Sequence, residues 1–135
     1  MEVAVLGKRV WLYIINMILY LGIGFSSSLP FLLIIHLHWT LYILISLGIT
    51  LVISFLISFF FLSVTHGYNI GSALMGVKYI GARNERLKVK QAFVRALAES
   101  IFIYVLFDLI YFWKNRTERG VIDRLTNTFA IDIRR

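Results

Sequence analysis

The chain has no cysteine, a single proline and, between Arg9 and Lys78, no lysine or arginine at all. The first absence excludes disulfides, thiolate zinc sites, iron–sulfur clusters and a cysteine nucleophile. Metal or haem ligation would fall to His36, His38 and His66. Two neighbouring imidazoles without a third ligand are a weak metal signal, and an interfacial His36/His38 pair is the plainer reading. No Ser/His/Asp or metalloprotease spacing is present, so the chain reads as a non-enzyme with no cofactor and no metal. The glycines of "GYNIGSALMG", residues 67–76, form neither a Walker loop nor a dinucleotide fingerprint. They point instead to close backbone packing.

What is there is hydrocarbon. Of the 135 residues 59% are hydrophobic and 16% aromatic, and the mean hydropathy is +0.81, far outside the range of a soluble domain. One domain, residues 1–135, embedded in a membrane is the expectation. In a soluble protein the net charge of +7 would suggest nucleic acid. In a membrane protein it speaks of topology and anionic lipid, so membrane lipid is the expected partner and nucleic acid is not.

Two apolar stretches are long enough to cross a bilayer, which takes roughly 20 residues. They cover about 10–28 and 40–62, and the second carries no charge. The first is too long for a signal-peptide core. Leu29-Pro30 is expected to break or kink the first helix near its far end. Lys8 and Arg9 precede the first span, six basic residues lie between Lys78 and Arg95, and six more between Lys114 and Arg135. The positive-inside rule therefore predicts a hairpin in the cell membrane with a cytoplasmic N-terminus, a cytoplasmic loop over 63–90 and a basic cytoplasmic tail over 114–135.

A third hydrophobic helix is predicted over 91–113, interfacial or spanning. It carries Arg95, Glu99 and Asp108, and each charge at mid-bilayer costs about 2.5–3.5 kcal/mol. No glycine or proline lies between Ala82 and Arg119 to ease a bend. Short strands are expected at Val77 to Ile80 and Arg86 to Val89 around a turn with Gly81 and Asn84, with the alternating Phe129 to Ile133 as a third. The whole reads as an all-α integral membrane protein: a two-span helical hairpin, a third hydrophobic helix and a small cytoplasmic β element.

Arg9, Tyr13, Asn16 and Tyr20, spaced by four, three and four residues, fall on one face of the first helix. A polar stripe in a membrane must meet protein or water, so it is either an interhelical network or a polar path. Ser46, Thr50, Ser54 and Ser58 recur every four residues along the second span as a seam for close helix approach, within the chain or between copies. Lys78, Arg83, Arg86, Lys88 and Lys90 form a basic surface suited to anionic headgroups.

Three segments together resemble the RDD family of small prokaryotic membrane proteins. Arg9 in "GKRVWLYIIN" matches the family's first arginine, "GYNIGSALMGVKYIGARNERLKVKQAFVRAL" resembles its glycine-containing segment leading to Arg95, and "RGVIDRLTNTFAI" resembles its closing motif, with Asp123 and Thr128. Where the family has an aspartate in the first span this chain has Asn16, which cannot ionise. The resemblance implies transport of ions or small solutes. Two sure spans can scarcely enclose a path, so transport implies a homo-oligomer or a membrane-protein partner. The competing expectation is a non-transporting accessory or scaffold protein. With Asn16 uncharged, Asp123 or Glu99 is the expected counter-charge for Arg9, and the Arg9–Asp123 pair would clasp the tail to the hairpin.

Overall fold

The structure, a computed structural model, describes residues 2–35, 38–83, 85–115 and 119–133. A two-residue strand β1 (Glu2–Val3) leads into α1 (Leu6–Ile35), which is followed by α2 (Trp39–Val64). Then come a short α3 (Ile70–Met75), β2 (Val77–Gly81), α4 (Val89–Ser100), α5 (Phe102–Asn115), α6 (Val121–Thr126) and β3 (Thr128–Asp132). His36, Asn84, Glu118, Arg134 and Arg135 lie outside the described residues, so nothing bears on the His36/His38 pair.

Within α1 the stretch Leu6–Phe31, and the whole of Trp39–Val64, are each 26 residues long with mean hydropathies of 1.6 and 2.6. At 1.5 Å per residue such a helix reaches about 39 Å, more than the roughly 30 Å hydrocarbon core of a bilayer. The apolar side chains they expose, such as Ile18, Leu44 and Phe60, point to a membrane location as well. Of the break or kink expected at Leu29-Pro30 the break does not occur, for α1 continues through Pro30 to Ile35. Proline removes a single ladder bond, which a helix packed against neighbours and rich in serine can absorb; Ser27 and Ser28 donate to the carbonyls of Ile23 and Phe25 just before it.

The serine seam joins α1 to α2. Ser46 Oγ lies 2.7 Å from Ser28 Oγ, and Tyr20 Oη lies 2.7 Å from Ser58 Oγ. Gly24 faces Thr50 so closely that a Cβ there would come within 2.8 Å of the Thr50 Cα. All four seam residues are buried.

At the end of the hairpin that carries Leu6 and Val64, a three-stranded antiparallel sheet of order β1-β3-β2 brings both ends of the chain together. Val77 pairs with Asp132 and Gly81 with Thr128. The strand expected over Arg86 to Val89 is absent: Gly81 N donates to Glu85 O at 2.9 Å to close a turn, and α4 begins at Val89. The reason is twofold. Gln91 Oε1 accepts from Lys88 N in a helix-start contact, and the outer edge of β2, where that strand would pair, meets Gly67 instead, whose carbonyl accepts from Tyr79 N at 2.8 Å.

The third hydrophobic segment is not one helix. Ile101 is extended (φ −95°, ψ 105°) and separates α4 from α5. Helices of 12 and 14 residues span about 18 and 21 Å, each short of a bilayer crossing. Neither glycine nor proline makes the break. Arg95 and Asp108 are 13 residues apart, which on an unbroken helix turns them to roughly opposite faces, yet both are completely buried. Interrupting the helix lets each reach the same end of the hairpin, and the Ser100 hydroxyl, bonded back to Ala96 O, marks the last turn of α4.

The core sits under the sheet, where Leu12, Leu62, Val77, Ala92, Ala96, Ile122 and Ala130 are fully buried. Phe93 of α4 stands edge-on to Phe55 and Phe59 of α2, with centroids 5.3 and 5.7 Å away, and fixes α4 against the second long helix.

Candidate functional site

The polar face of α1 ends in a buried ion-pair hub. Arg9 Nη1 donates to Asp123 Oδ2 at 2.6 Å, and Arg95 Nη1 donates to Asp123 Oδ1 at 2.8 Å. One carboxylate on α6 thus joins an arginine from α1 to one from α4. Arg95 also gives Nη1 to Thr128 Oγ1 and Nε to Glu99 Oε1, both at 2.8 Å. Its guanidinium lies 3.4 Å from the centroid of the Tyr79 ring, which desolvates it without leaving it unsupported. Arg95 Nη2 and the Tyr79 hydroxyl, both buried, have no hydrogen-bond partner among the described residues.

Asp108 completes the hub from α5. It accepts from Tyr13 Oη at 2.9 Å and from Ile122 N at 2.8 Å. Gly120, the N-cap of α6, has no side chain with which to cap the helix; Asp108 supplies that carboxylate from a different helix. A Cβ on Gly120 would lie 2.6 Å from Asp108 Cγ, so the glycine is what admits the acid.

Asn16 and Glu99 sit on the other side. Asn16 Oδ1 accepts from Gly71 N at 2.7 Å, and Glu99 Oε2 accepts from Asn69 Nδ2 at 2.8 Å. Asn69 is the N-cap of α3 and exchanges hydrogen bonds with Ser72 in a capping box. The glycine-containing segment is therefore pressed against α1 at Leu12 and Asn16, as its composition implied.

Burial opposes ionisation of Asp123, but the guanidinium of Arg95, and then that of Arg9, overcomes it and holds the carboxyl below the ordinary aspartate range. For Glu99 burial prevails over Arg95 and Asn69, and its carboxyl is raised.

All four residues of the predicted stripe are brought into use: Arg9 meets Asp123, Tyr13 meets Asp108, Asn16 meets Gly71 and Tyr20 meets Ser58. Each of these polar groups has a partner in the protein, and Tyr13, Asn16 and Tyr20 also line a groove. Of the two acids expected for Arg9, Asp123 takes it and Glu99 pairs with Arg95. Arg83, Arg86, Lys88 and Lys90 are exposed at the sheet end, with Lys88 3.4 Å from Glu85, and Lys78 is half-buried over the Tyr68 ring. The contributions of Tyr79 and Asn69 were not anticipated. Asn69 had a readable signal in its spacing to Ser72, whereas a tyrosine in a strand announces nothing about an arginine that will stack on it.

Beside the hub, a half-open groove of about 750 Å³ runs between α1, α2 and α5. Tyr13, Asn16, Tyr20, Thr50, Ser54 and Glu99 contribute to its lining, and leucine, isoleucine, valine, methionine and phenylalanine supply most of the rest. No lysine, arginine or histidine lines it.

Residues 3–127 match the model of the RDD family, a stretch that contains Arg9, Arg95, Asp108 and Asp123. No curated protein and no solved structure matches the chain. The family, like the two long apolar helices, points to a membrane location. With nearly its whole length matched, the chain belongs to the RDD family.

Proposed function

We propose that this is a multi-pass protein of the cytoplasmic membrane, with its N-terminus, sheet and tail in the cytoplasm, that takes part in the transport of ions or small solutes. The observation that carries the reading is the groove: a site-sized cavity between two helices long enough to cross a bilayer, with polar side chains among its lining residues. Orientation follows from the basic residues, since Lys8, Arg9 and the exposed cations from Arg83 to Lys90 gather at the sheet end. Two long helices do not enclose a path, so transport calls for several copies or a membrane-protein partner.

The test is flux. Purified protein in sealed liposomes is loaded with labelled small cations, anions and neutral solutes, and uptake is compared with empty liposomes and with Leu21→Trp, which fills the groove. Transport predicts protein-dependent flux that the groove-filling variant abolishes.

A second reading, an accessory protein that supports another membrane protein, is favoured by the ion-pair hub. Asp123 is shared by two arginines and Glu99 is held by Arg95 and Asn69, an arrangement suited to holding the fold. Absence of flux for every solute class would select it.

A further inference from the structure

We infer that the groove between α1, α2 and α5 holds one acyl chain of an anionic glycerophospholipid, drawn from the leaflet on the sheet side. The inference goes beyond the transport reading, for it states what fills the groove in a bilayer whether or not a solute crosses.

Depth comes first. α5 runs antiparallel to α1, with Phe112 over Arg9 and Asp108 at Tyr13. Exposed Trp11 and Trp113 stand at the sheet end of these two helices, and exposed Trp39 stands at the far end of α2. Tryptophan gathers at both faces of a bilayer, so the three mark where its hydrocarbon begins and ends. The groove starts beside the first pair, at Val10 and Leu109, and reaches Leu21 of α1 and Leu47 to Ser54 of α2, the middle of that helix. From Val10 to Leu21 is about 16 Å of helix, half of the roughly 30 Å hydrocarbon core. Past Leu21 the two long helices close on each other, Gly24 against Thr50 and Ser28 Oγ 2.7 Å from Ser46 Oγ. A spanning helix from a second copy would need a channel twice as deep. A lipid of one leaflet ends where the groove ends.

The walls suit a hydrocarbon chain. Met17, Leu47, Leu51, Ile103 and Leu106 line the groove and are exposed, so it opens sideways to lipid. Its polar side chains already hold bonds within the protein. Thr50 and Ser54 donate to the carbonyls of Ser46 and Leu51 at 2.7 and 2.9 Å and Ser100 to that of Ala96, beside the contacts of Tyr13, Asn16, Tyr20 and Glu99 given above. A hydrated solute entering here exchanges water for hydrocarbon, whereas an acyl chain exchanges like for like. The chain also supplies the dispersion contacts that a void would deny the walls.

The head follows from charge. Lys114 is exposed in the last turn of α5, next to Trp113, and Arg83, Arg86, Lys88 and Lys90 are exposed at the same end of the molecule. A phosphate above the groove therefore sits among cations at headgroup level.

The test is photo-crosslinking of the full chain in phosphatidylcholine liposomes containing a trace of phosphatidylglycerol with a diazirine on one chain, followed by peptide mapping. With the diazirine at the chain end, label is expected at Tyr20, Leu21 and Thr50 in preference to Ile18 and Val52, which are exposed outside the groove at similar depth. Moving the diazirine next to the ester should shift the label to Val10 and Leu109. Leu21→Trp and Leu106→Trp, which fill the groove, should each abolish the groove label and leave that at Ile18 and Val52. If one of them does not fold the other serves, and the shift along the groove is read on the unaltered chain. Phosphatidylcholine with the same diazirine chain should label the groove less, a difference that Lys114→Gln removes. Equal labelling inside and outside the groove, equal labelling by the two headgroups, no shift with diazirine position, or label indifferent to the groove-filling variants overturns the inference. So does ready disulfide formation between two Leu106→Cys copies, which seats a second chain there. Groove labelling in a protein that gives no flux upholds the inference and defeats the transport reading. Flux without groove labelling does the reverse.

Discussion

Arg9 and Asp123 stand 114 positions apart in the chain and meet 2.6 Å apart, with side chains only 2% and 0% exposed. The contact ties the first turns of α1 to the short tail helix α6, and through Arg95 to α4. Arg9 also donates Nε to Ala4 O and lies 4.5 Å from the Phe112 ring centroid, so it anchors β1 and α5 as well.

Removing either partner should therefore cost far more than a surface ion pair would. Arg9→Ala or Asp123→Ala is expected to destabilise the protein by about 3–5 kcal/mol, because each strands a buried charge. The double variant should lose clearly less than the sum of the two. Denaturant unfolding in detergent micelles measures this, and strict additivity would show that the pair is not coupled.

The carboxylate of Asp123, held low by Arg95 and then by Arg9, sets an acid limit. The folded-state value of Asp123 is lowered, so its contribution to stability is fully present above the unfolded aspartate value of about 3.9 and is lost as pH falls below that through the folded value. Thermal unfolding followed from pH 7 down to pH 2 should show a falling limb in the native protein. Asp123→Asn should flatten that limb.

Asn16 accepts from Gly71 N in a buried site, and the acceptor matters more than the rest of the side chain. Asn16→Leu leaves that amide unsatisfied and should cost about 1–3 kcal/mol. Asn16→Asp keeps the acceptor and should still fold, with the glycine segment in place. Amide exchange at Gly71 distinguishes the two: fast in the leucine variant, protected in the aspartate variant.

Close approach of α1 to α2 depends on Gly24. Gly24→Ala should spread the hairpin and destabilise it, and Thr50→Ala should not rescue it. The obstruction includes the Thr50 Cα at 2.8 Å, which no side-chain truncation removes. Recovery of native stability in the Gly24→Ala/Thr50→Ala protein would contradict this geometry.

Topology can be read by thiol labelling, since the chain has no cysteine of its own. Ile133→Cys is expected to be shielded from an impermeant reagent in intact cells and His38→Cys to be labelled. The sheet places Ile133 beside Gly76, to whose carbonyl its amide donates at 2.9 Å, so tail and loop must share a side. Labelling of both positions would break the proposed orientation.

The membrane character, the two long helices, the polar stripe on α1, the serine seam on α2 and the strand at residues 128–132 were all legible in the sequence. Each is a local property: hydrophobic length, a period of 3.6 or 2, a side chain that hydrocarbon cannot satisfy. The pairing of Arg9 with Asp123 was also reachable, because losing the acid at Asn16 leaves an arginine that needs one. What only the tertiary structure decided is where chains of contacts converge. The break at Ile101 has no glycine or proline to signal it; it exists because Arg95 and Asp108, on opposite faces of any straight helix, are both drawn into one buried hub. Arg86 to Val89 adds no strand beside β2, because α4 starts at Val89 and the outer edge of β2 meets Gly67 instead. Local periodicity specifies which face of an element is polar. Which partner that face meets is settled by the competition of every element for the same buried space.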